Sequence, residues 1–253
     1  MREAAPASRG FVDRLDEVLN GPLAVFRGRM VAVAPAPHET RGAPELVLSD
    51  SFPNVVSHFE AQHGQTDYRA IVSIWSKWHF AIVMPPVLTA NLLLGLEASG
   101  AFPTSEFAVS AEGKTISMLA PQACRDVPAG DCERFLALVD DHLAPFIAEL
   151  SQQTGVTQRI FWSNAGNLFE AFVRRLEEVG FGDRIGPADR FLQSEMLPSG
   201  RRNPLHAPVR YEQEGEHLAR RRRVCCLRYF VPDGLYCTTC PITRPGSTTR
   251  HAR

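Results

Sequence analysis

Four of the six cysteines lie within sixteen positions near the C-terminus, and no other feature constrains the chain as strongly. A vicinal pair, Cys225-Cys226, is followed after ten residues by Cys237-Thr-Thr-Cys240-Pro241. The intervening Pro232-Asp233-Gly234 supplies a chain reversal, so a single loop can bring all four thiolates together. Four thiolates suit either zinc or an iron–sulfur cluster.

The vicinal pair bears on the choice between these two metals. Adjacent side chains in an extended backbone point to opposite sides. The backbone must therefore turn sharply at Cys225 and Cys226, or the two sulfurs must bind an object larger than one ion, which favours a cluster. A structural zinc site would normally use two C-x2-4-C turns. A zinc site and surface disulfides both remain alternatives.

The expected compartment supports metal ligation over disulfides. Residues Met1 to Ser8 lack the apolar core of a signal peptide, which predicts a cytoplasmic protein with reduced thiols. Cys124 and Cys132 lie far from the motif and are expected to be small hydrophobic side chains in or near the core. With 27 basic and 28 acidic residues the formal charge is −1, so no overall field selects nucleic acid or a membrane.

Apolar periodicity predicts that most of the chain is helical. Ser51 or Asp50 is expected to cap the second helix, Pro85-Pro86 to end or kink the third, and Pro145 to bend the fifth. The predicted helices cover residues 10–20, 51–64, 67–79, 88–98, 132–153 and 156–180.

Strand signals are confined to the middle of the chain. Residues 107–119 alternate around Glu112-Gly113 and predict a hairpin. Residues 22–50 are expected to be loop with one strand near Val31, and residues 181–219 an irregular connector. The apolar run from Phe80 to Leu96 is too short and too interrupted to cross a bilayer.

Three stretches of the sequence resemble the ferric siderophore reductase family (FhuF). The string Arg-Arg-Arg-x-Cys-Cys-Leu-x-Tyr with the two cysteine pairs is similar to its C-terminal signature, and the stretches Ser73 to Ala90 and Trp162 to Asn167 resemble it further. The likeness covers about residues 50–242. It implies a [2Fe-2S] cluster on Cys225, Cys226, Cys237 and Cys240, and a reductase that releases iron from ferric siderophores.

These observations predict an α+β fold: a mainly helical body with a small β-hairpin or sheet region and a C-terminal iron–sulfur loop. We divide it into a siderophore-reductase-like body, residues 1–219, and a cluster segment, residues 220–253.

Reductive release is physically reasonable, because hydroxamate and catecholate oxygens hold Fe(III) far more tightly than Fe(II). The sequence has no Gly-rich nucleotide loop and no H-E-x-x-H motif, so a ferredoxin or flavin reductase is expected to supply the electron. A peripheral position at the inner membrane face is left open, but not an integral one.

Candidate substrate residues lie on two of the predicted helices. Trp75, Trp78 and His79 offer apolar area with hydrogen-bonding groups, although core packing explains the same stripe. Asn164 and Asn167 share one helical face; we interpret Asn164 as a helix cap and Asn167 as a candidate siderophore contact.

Basic residues gather before the first cysteine pair. Arg220 to Arg223 form a solvated face, a dock for an acidic electron donor, or a counter-charge to the cluster, which is a dianion when oxidised. No aromatic residues interleave with this run, so nucleic acid is not an expected partner. Lys77 could neutralise an anionic ligand, but it is interpreted as an exposed helical charge.

Three other functions remain open. An electron carrier or an iron or redox sensor would share the cluster without siderophore turnover. A zinc-stapled interaction domain would bind no iron. Kinship with siderophore synthetases is weaker, because those proteins have no reason to keep four clustered thiols.

Replacing any one of Cys225, Cys226, Cys237 and Cys240 by Ser is expected to abolish or shift the visible absorption of a [2Fe-2S] cluster. Cys124→Ser and Cys132→Ser serve as controls and should leave the spectrum unchanged. Absorption, iron and sulfide are measured on anaerobically purified protein. A colourless protein with stoichiometric zinc would contradict this prediction.

Overall fold

The computed structural model describes residues 6–232 and 236–242 and confirms the expected α+β class with a mainly helical body. The α-helices are α1 Pro6–Val18, α2 Ala43–Val47, α3 Phe52–His63, α4 Tyr68–Thr89, α5 Ala144–Thr154, α6 Gln158–Leu176 and α7 Gly186–Gln193. The strands are β1 Met30–Val31, β2 Glu39–Gly42, β3 Leu96–Glu97, β4 Glu106–Val109, β5 Thr115–Leu119, β6 Arg125–Asp126, β7 Val209–Glu214 and β8 His217–Arg222.

Helix α4 is the central element, and its length differs from the prediction. Asp67 caps it, accepting a 2.9 Å hydrogen bond from the backbone N–H of Arg69. The helix then continues through Pro85-Pro86 and into a π-helical segment, Ala90–Leu94, so a helix end at these prolines and the separate helix at 88–98 are wrong. Gly95, with φ of 70°, ends it.

A tertiary contact compensates for the N–H that Pro85 lacks. A proline inside a helix removes one N–H, which leaves the carbonyl four residues earlier without its partner. The carbonyl of Ala81 stands opposite Pro85 and accepts a hydrogen bond from the Arg29 guanidinium instead. Such a replacement donor, 52 residues away in sequence, leaves no local signal.

The continuous helix from Tyr68 to Leu94 is, by length and composition, a candidate membrane span within the described residues. Its most apolar window is 78% buried inside the protein. A mostly buried core helix passes the same test of length and composition, so this is weak evidence for a membrane span.

The predicted mid-chain hairpin is confirmed. Strands β4 and β5 pair antiparallel, with Phe107 opposite Met118, and Gly113 turns with φ of 79°. They form a four-stranded sheet in the order β1-β5-β4-β2, in which β1 runs parallel to β5. Trp75 on α4 donates a 2.9 Å hydrogen bond from Nε1 to the carbonyl of Gly113, which ties the hairpin turn to the central helix.

The remaining predicted helices are present with altered ends. Helix α1 starts at Pro6, and α3 and α6 match the periods at 51–64 and 156–180. Residues 132–153 are less regular than expected: a π-helical segment, Ala137–Leu143, leads directly into α5, and Pro145 lies in the first turn of α5.

Two sequence-based assignments are wrong in detail. Ser51 makes no side-chain cap to α3; its hydroxyl donates 2.7 Å to the carbonyl of Glu45. Residues 22–50 contain strands β1 and β2 and the short helix α2 rather than mostly loop.

Residues 181–219 are also more ordered than predicted, since they contain α7 and most of the hairpin β7–β8. In that hairpin Val209 pairs with Arg222 and Tyr211 with Arg220. The sequence pattern does not reveal this hairpin, because its residues are mainly charged and show no alternation of apolar and polar side chains. Strand β8 runs across position 219, and the division of the chain at that residue stays a prediction.

Gly166 on α6 permits the approach of the segment leading into β7. A Cβ there would stand 2.7 Å from Cβ of Pro208, whereas a Cβ on Gly10 of α1 would meet no atom within 4 Å. We expect Gly166→Ala to lower the free energy of unfolding by about 1–3 kcal/mol through overpacking. Gly10→Ala should raise it by about 0.5–1 kcal/mol, the usual gain in a helix. Urea unfolding tests both, and equal stabilisation by the two changes would contradict this packing.

Candidate metal centre

The cysteine loop follows β8 directly and packs on α4 and α6. Cys226 and Cys240 are buried, while Cys225 and Cys237 are half-buried, and none of the four forms a disulfide. The Sγ atoms of Cys226 and Cys237 lie 3.5 Å apart. The predicted chain reversal at Asp233-Gly234 lies outside the described residues.

The backbone turns sharply directly after the vicinal cysteines, which is one of the two alternatives that the sequence leaves open. Leu227 adopts φ of 62° and ψ of 7°, a left-handed conformation that costs a branched side chain free energy and is found mainly where function requires it. The turn directs the N–H of Leu227 to Sγ of Cys225 at 3.3 Å. The N–H of Ile242 donates to Sγ of Cys240 at 3.4 Å in the same residue-plus-two pattern.

The electrostatics of the thiols favour an anionic site. The pKa of Cys226 is lowered chiefly by its hydrogen bond with Cys237, and further by the positive charges of Lys77 and Arg222. The pKa of Cys225 is raised by burial first, and also by the negative fields of Cys226 and Cys240. All four thiols therefore lie in one electrostatic neighbourhood.

A thiolate-bound cluster fits this donor set. The site offers four thiols that form no disulfide, backbone N–H donors to sulfur and nearby cations, which are the groups that stabilise iron–sulfur clusters and set their potentials. Within residues 6–232 and 236–242, no three His, Cys, Asp or Glu side chains stand close enough together to hold a single metal ion.

Arg222 is the buried cation of the site. Its residue is 0% exposed, and its guanidinium donates to Oδ1 of Asn164 at 2.5 Å and to the hydroxyl of Ser163 at 3.2 Å. The prediction that Asn164 is a helix cap is therefore wrong. It lies inside α6 and faces α4. Its amide donates to Oγ of Ser76 at 2.9 Å and to the carbonyl of Ser73 at 3.0 Å.

Helix α4 also contacts the cysteine loop directly. The hydroxyl of Ser73 donates 2.9 Å to the carbonyl of Cys226, and Nζ of Lys77 lies 3.9 Å from its Sγ. The interpretation of Lys77 as an exposed charge is wrong, because the residue is half-buried against the sulfur. Ser73, Ser76 and Lys77 repeat at helical spacing, a signal in the sequence that could have identified this face.

The arginine run is largely engaged within the protein. Arg220 donates to Oδ1 of Asn167 at 3.0 Å and to Oε2 of Glu170 at 2.5 Å. Arg221 pairs with Glu214 at 2.5 Å, and only Arg223 is exposed. The hypothesis of a solvated face therefore applies to Arg223 alone among these four arginines. The hypothesis of a counter-charge to the cluster fits Arg222.

The candidate substrate residues are not gathered at one surface. Trp75 and His79 are 1% and 0% exposed and stack with Phe146 in the core. Trp78 is half-buried, with Nζ of Lys114 4.8 Å from its ring centre. Asn167 is nearly buried and also accepts a 3.4 Å hydrogen bond from Thr239. Core packing accounts for Trp75 and His79, and a role of these four in siderophore binding stays a prediction.

The two remaining cysteines behave as expected. Cys124 and Cys132 are half-buried and pack against the core, away from the loop. Burial raises the pKa of Cys124 to about 11, so this thiol stays protonated and is a poor metal ligand.

Comparison with known proteins identifies relatives of both parts of the chain. Residues 107–219 match the family described as "Ferric iron reductase FhuF-like transporter", and residues 222–241 match "FhuF 2Fe-2S C-terminal domain", which contains all four cysteines. Together the two matches cover more than half of the chain. They confirm the predicted family resemblance and the [2Fe-2S] cofactor.

One curated protein and one solved structure extend these matches. The ferric siderophore reductase of Escherichia coli strain K12 is 25% identical over 207 residues, covering 76% of this chain and 77% of that protein. Aerobactin synthetase IucC of Klebsiella pneumoniae is similar with a TM-score of 0.58 at 12% identity. That likeness covers 79% of this chain but only 46% of the synthetase, and it concerns the fold alone.

The buried histidines generate a pH prediction. Burial lowers the pKa of His79 well below 6.5, and lowers that of His142 to about 4. Both are neutral in the folded chain and gain protons on unfolding below about pH 6.5, so stability is present above that pH and is lost as the pH falls toward the folded pKa values. Over this pH range each histidine lowers the free energy of unfolding by up to about 1.4 kcal/mol for each unit by which the pH falls.

Denaturant unfolding at pH 7.5 and 5.5 measures this loss. His79→Gln and His142→Gln should each remove part of the difference in unfolding free energy between the two pH values. An unchanged difference in both variants would show that these imidazoles do not set the acid sensitivity.

Proposed function

Because the chain belongs to the FhuF-like ferric iron reductase family of iron–sulfur oxidoreductases, we propose that it reduces the iron of a ferric siderophore by one electron in the cytoplasm. The product is Fe(II), which siderophore oxygens hold weakly. Cys225, Cys226, Cys237 and Cys240 hold the [2Fe-2S] cluster in this proposal. The observation that supports it most directly is the set of four cysteines outside any disulfide, with N–H donors and a buried cation beside them.

When bound, the cluster supplies one electron at a time. The protein's own part is positioning and charge. Arg222 and Lys77 offset negative charge at the sulfurs, which favours uptake of an electron. Cys226 and Cys240 face the interior, whereas Cys225 and Cys237 reach toward solvent, so electrons exchange on the side of the latter pair.

An exposed group of aromatic rings lies on the loop between the cysteine pairs. This aromatic face consists of Tyr229, Phe230 and Tyr236, each about 40% exposed. The rings of Tyr229 and Phe230 are 4.2 Å apart, and those of Tyr229 and Tyr236 are 6.5 Å apart. Rigid rings with phenol donors suit a compact complex whose surface presents oxygen atoms. We place the siderophore here.

The substrate is most consistent with a hydroxamate complex. Catecholate complexes are much harder to reduce, and lie beyond a cluster with a potential near the ferredoxin value of about −400 mV. Removal of Fe(II) by a chelator or by cellular demand draws the step forward. A ferredoxin or a flavin reductase supplies the electron, since the sequence contains no Gly-rich nucleotide loop.

Stopped-flow mixing of photoreduced protein with a ferric hydroxamate and an Fe(II) trap tests the function. Cluster reoxidation and Fe(II) formation should proceed together and faster than in buffer. The gallium(III) complex of the same siderophore is the matched control, because it has similar shape and charge but accepts no electron. If ferric hydroxamate and ferric citrate complexes reoxidise the cluster no faster than buffer, the protein is a carrier or sensor instead.

The same assay locates the substrate. Tyr229→Ala and Phe230→Ala should slow reoxidation by ferric hydroxamate about 2- to 10-fold, the loss expected for an aromatic contact. Leu218→Ala is the matched control: this exposed residue lines a separate groove of about 540 Å³ beside α6, α7 and β7. A loss with Leu218→Ala and none with the aromatic variants would move the substrate to that groove.

A further inference from the structure

We infer that Arg222 is a buried cation whose counter-ion is the group held by the four cysteines, so that Arg222 stabilises the loaded protein and destabilises the empty one. The inference rests on the proposed cluster ligation but not on siderophore turnover. It assigns Arg222 a role as a positioning residue that couples loading of the site to the stability of the fold.

The partners of Arg222 set it apart from the rest of the arginine run. Arg220 and Arg221 each form an ion pair with a carboxylate, at Glu170 and Glu214. Among residues 6–232 and 236–242, Arg222 has no carboxylate within 4.0 Å, and both hydrogen bonds from its guanidinium end at neutral oxygens. Its Nε is buried without a hydrogen bond.

A buried guanidinium without an anion is costly. Arginine keeps its proton in proteins, so it cannot escape the cost by becoming neutral. Leaving one charge of a pair uncompensated in the interior costs several kcal/mol. A side chain that is 0% exposed and surrounded by neutral partners therefore implies an anion that completes the arrangement.

Geometry identifies that anion. The two residues that hold Arg222 also hold the cysteine loop: Ser163 donates 3.3 Å to the carbonyl of Val224, and Asn164 bonds Ser73, which donates to the carbonyl of Cys226. The backbone N–H of Arg222 donates 2.9 Å to the carbonyl of Thr239 between the second pair of cysteines. Arg222 is thus fixed to both cysteine pairs.

The charge of the occupant then determines the sign of the effect. Four thiolates with a [2Fe-2S] cluster carry two negative charges when oxidised and three when reduced. The attraction to Arg222 grows on reduction and is weakest when no cluster is bound. Lys77 is a second cation at the site, with Nζ 3.9 Å from Sγ of Cys226, but it is only half-buried, so solvent can compensate its charge in the empty protein.

Charge substitution separates this role from simple hydrogen bonding. Arg222→Gln keeps hydrogen-bonding groups but removes the charge, and Arg222→Lys keeps the charge but loses the planar fork. Arg223→Gln removes a neighbouring exposed charge and is the matched control. We expect Arg222→Gln to accelerate cluster loss to a chelator about 10- to 100-fold and to lower the midpoint potential. Arg222→Lys should retain most of both properties, and Arg223→Gln should change neither.

The effect of Arg222→Gln on the unfolding temperature is expected to differ between the empty and the loaded protein. In chelator-stripped protein, Arg222→Gln should unfold at the same temperature as the wild type or higher, whereas in the loaded protein it should unfold lower. The chain with all four loop cysteines changed to Ser provides a second empty background. Destabilisation by Arg222→Gln in both states, or equal cluster loss in the Gln and Lys variants, would show that Arg222 acts only as a structural hydrogen-bond donor. None of these measurements uses a siderophore, so a failed turnover assay leaves them interpretable.

Discussion

The hydrogen bond between the Arg222 guanidinium and the carboxamide of Asn164 connects the parts of this protein on which the site depends. Asn164 lies within α6 and bonds Ser73 and Ser76 of α4, so one side chain joins two helices and a strand. The junction also reaches the cysteine loop, because Ser73 donates a hydrogen bond to the carbonyl of Cys226. The polar contacts between the helices are therefore part of the metal centre.

Around that junction, buried helices and strands support the site, while two of its four thiols are partly exposed to solvent. Helix α4 is buried for most of its length, and the β4–β5 hairpin is fixed to it by the indole of Trp75. The site lies where helix, helix and strand converge, with two thiols inside and two toward solvent. Such an arrangement holds the ligands in place by packing while leaving one side open to a reaction partner.

The sequence predicts the chemistry of the site better than its surroundings. Ligand spacing is local, so Cys225, Cys226, Cys237 and Cys240 can be recognised together, and the turn after the vicinal pair follows from strand geometry. The role of Arg222 cannot be recognised in this way. A run of four arginines shows positive charge but not which residue faces inward, and that depends on the pairing of β8 with β7.

The same distinction applies to the fold. Helical periods and the hairpin at 107–119 are local patterns, and both are present. Passage of α4 through Pro85-Pro86 depends on Arg29, which lies far away in sequence. Trp75 and His79 form a stripe that periodicity assigns equally to a pocket or to the core, and only the position of Phe146 resolves it.

The separation of Ser73 and Cys226 along the chain has a consequence for synthesis. The two residues are 153 positions apart, so at about 5–20 residues per second Ser73 leaves the ribosome roughly 8–30 s before its partner. Asn164 emerges in between, and its amide can bond Ser73 and Ser76 at once. Only its carbonyl oxygen must wait for Arg222. The helical platform can thus be assembled on the nascent chain before the first of the loop cysteines is made, and the thiols arrive last at a surface already shaped to receive them.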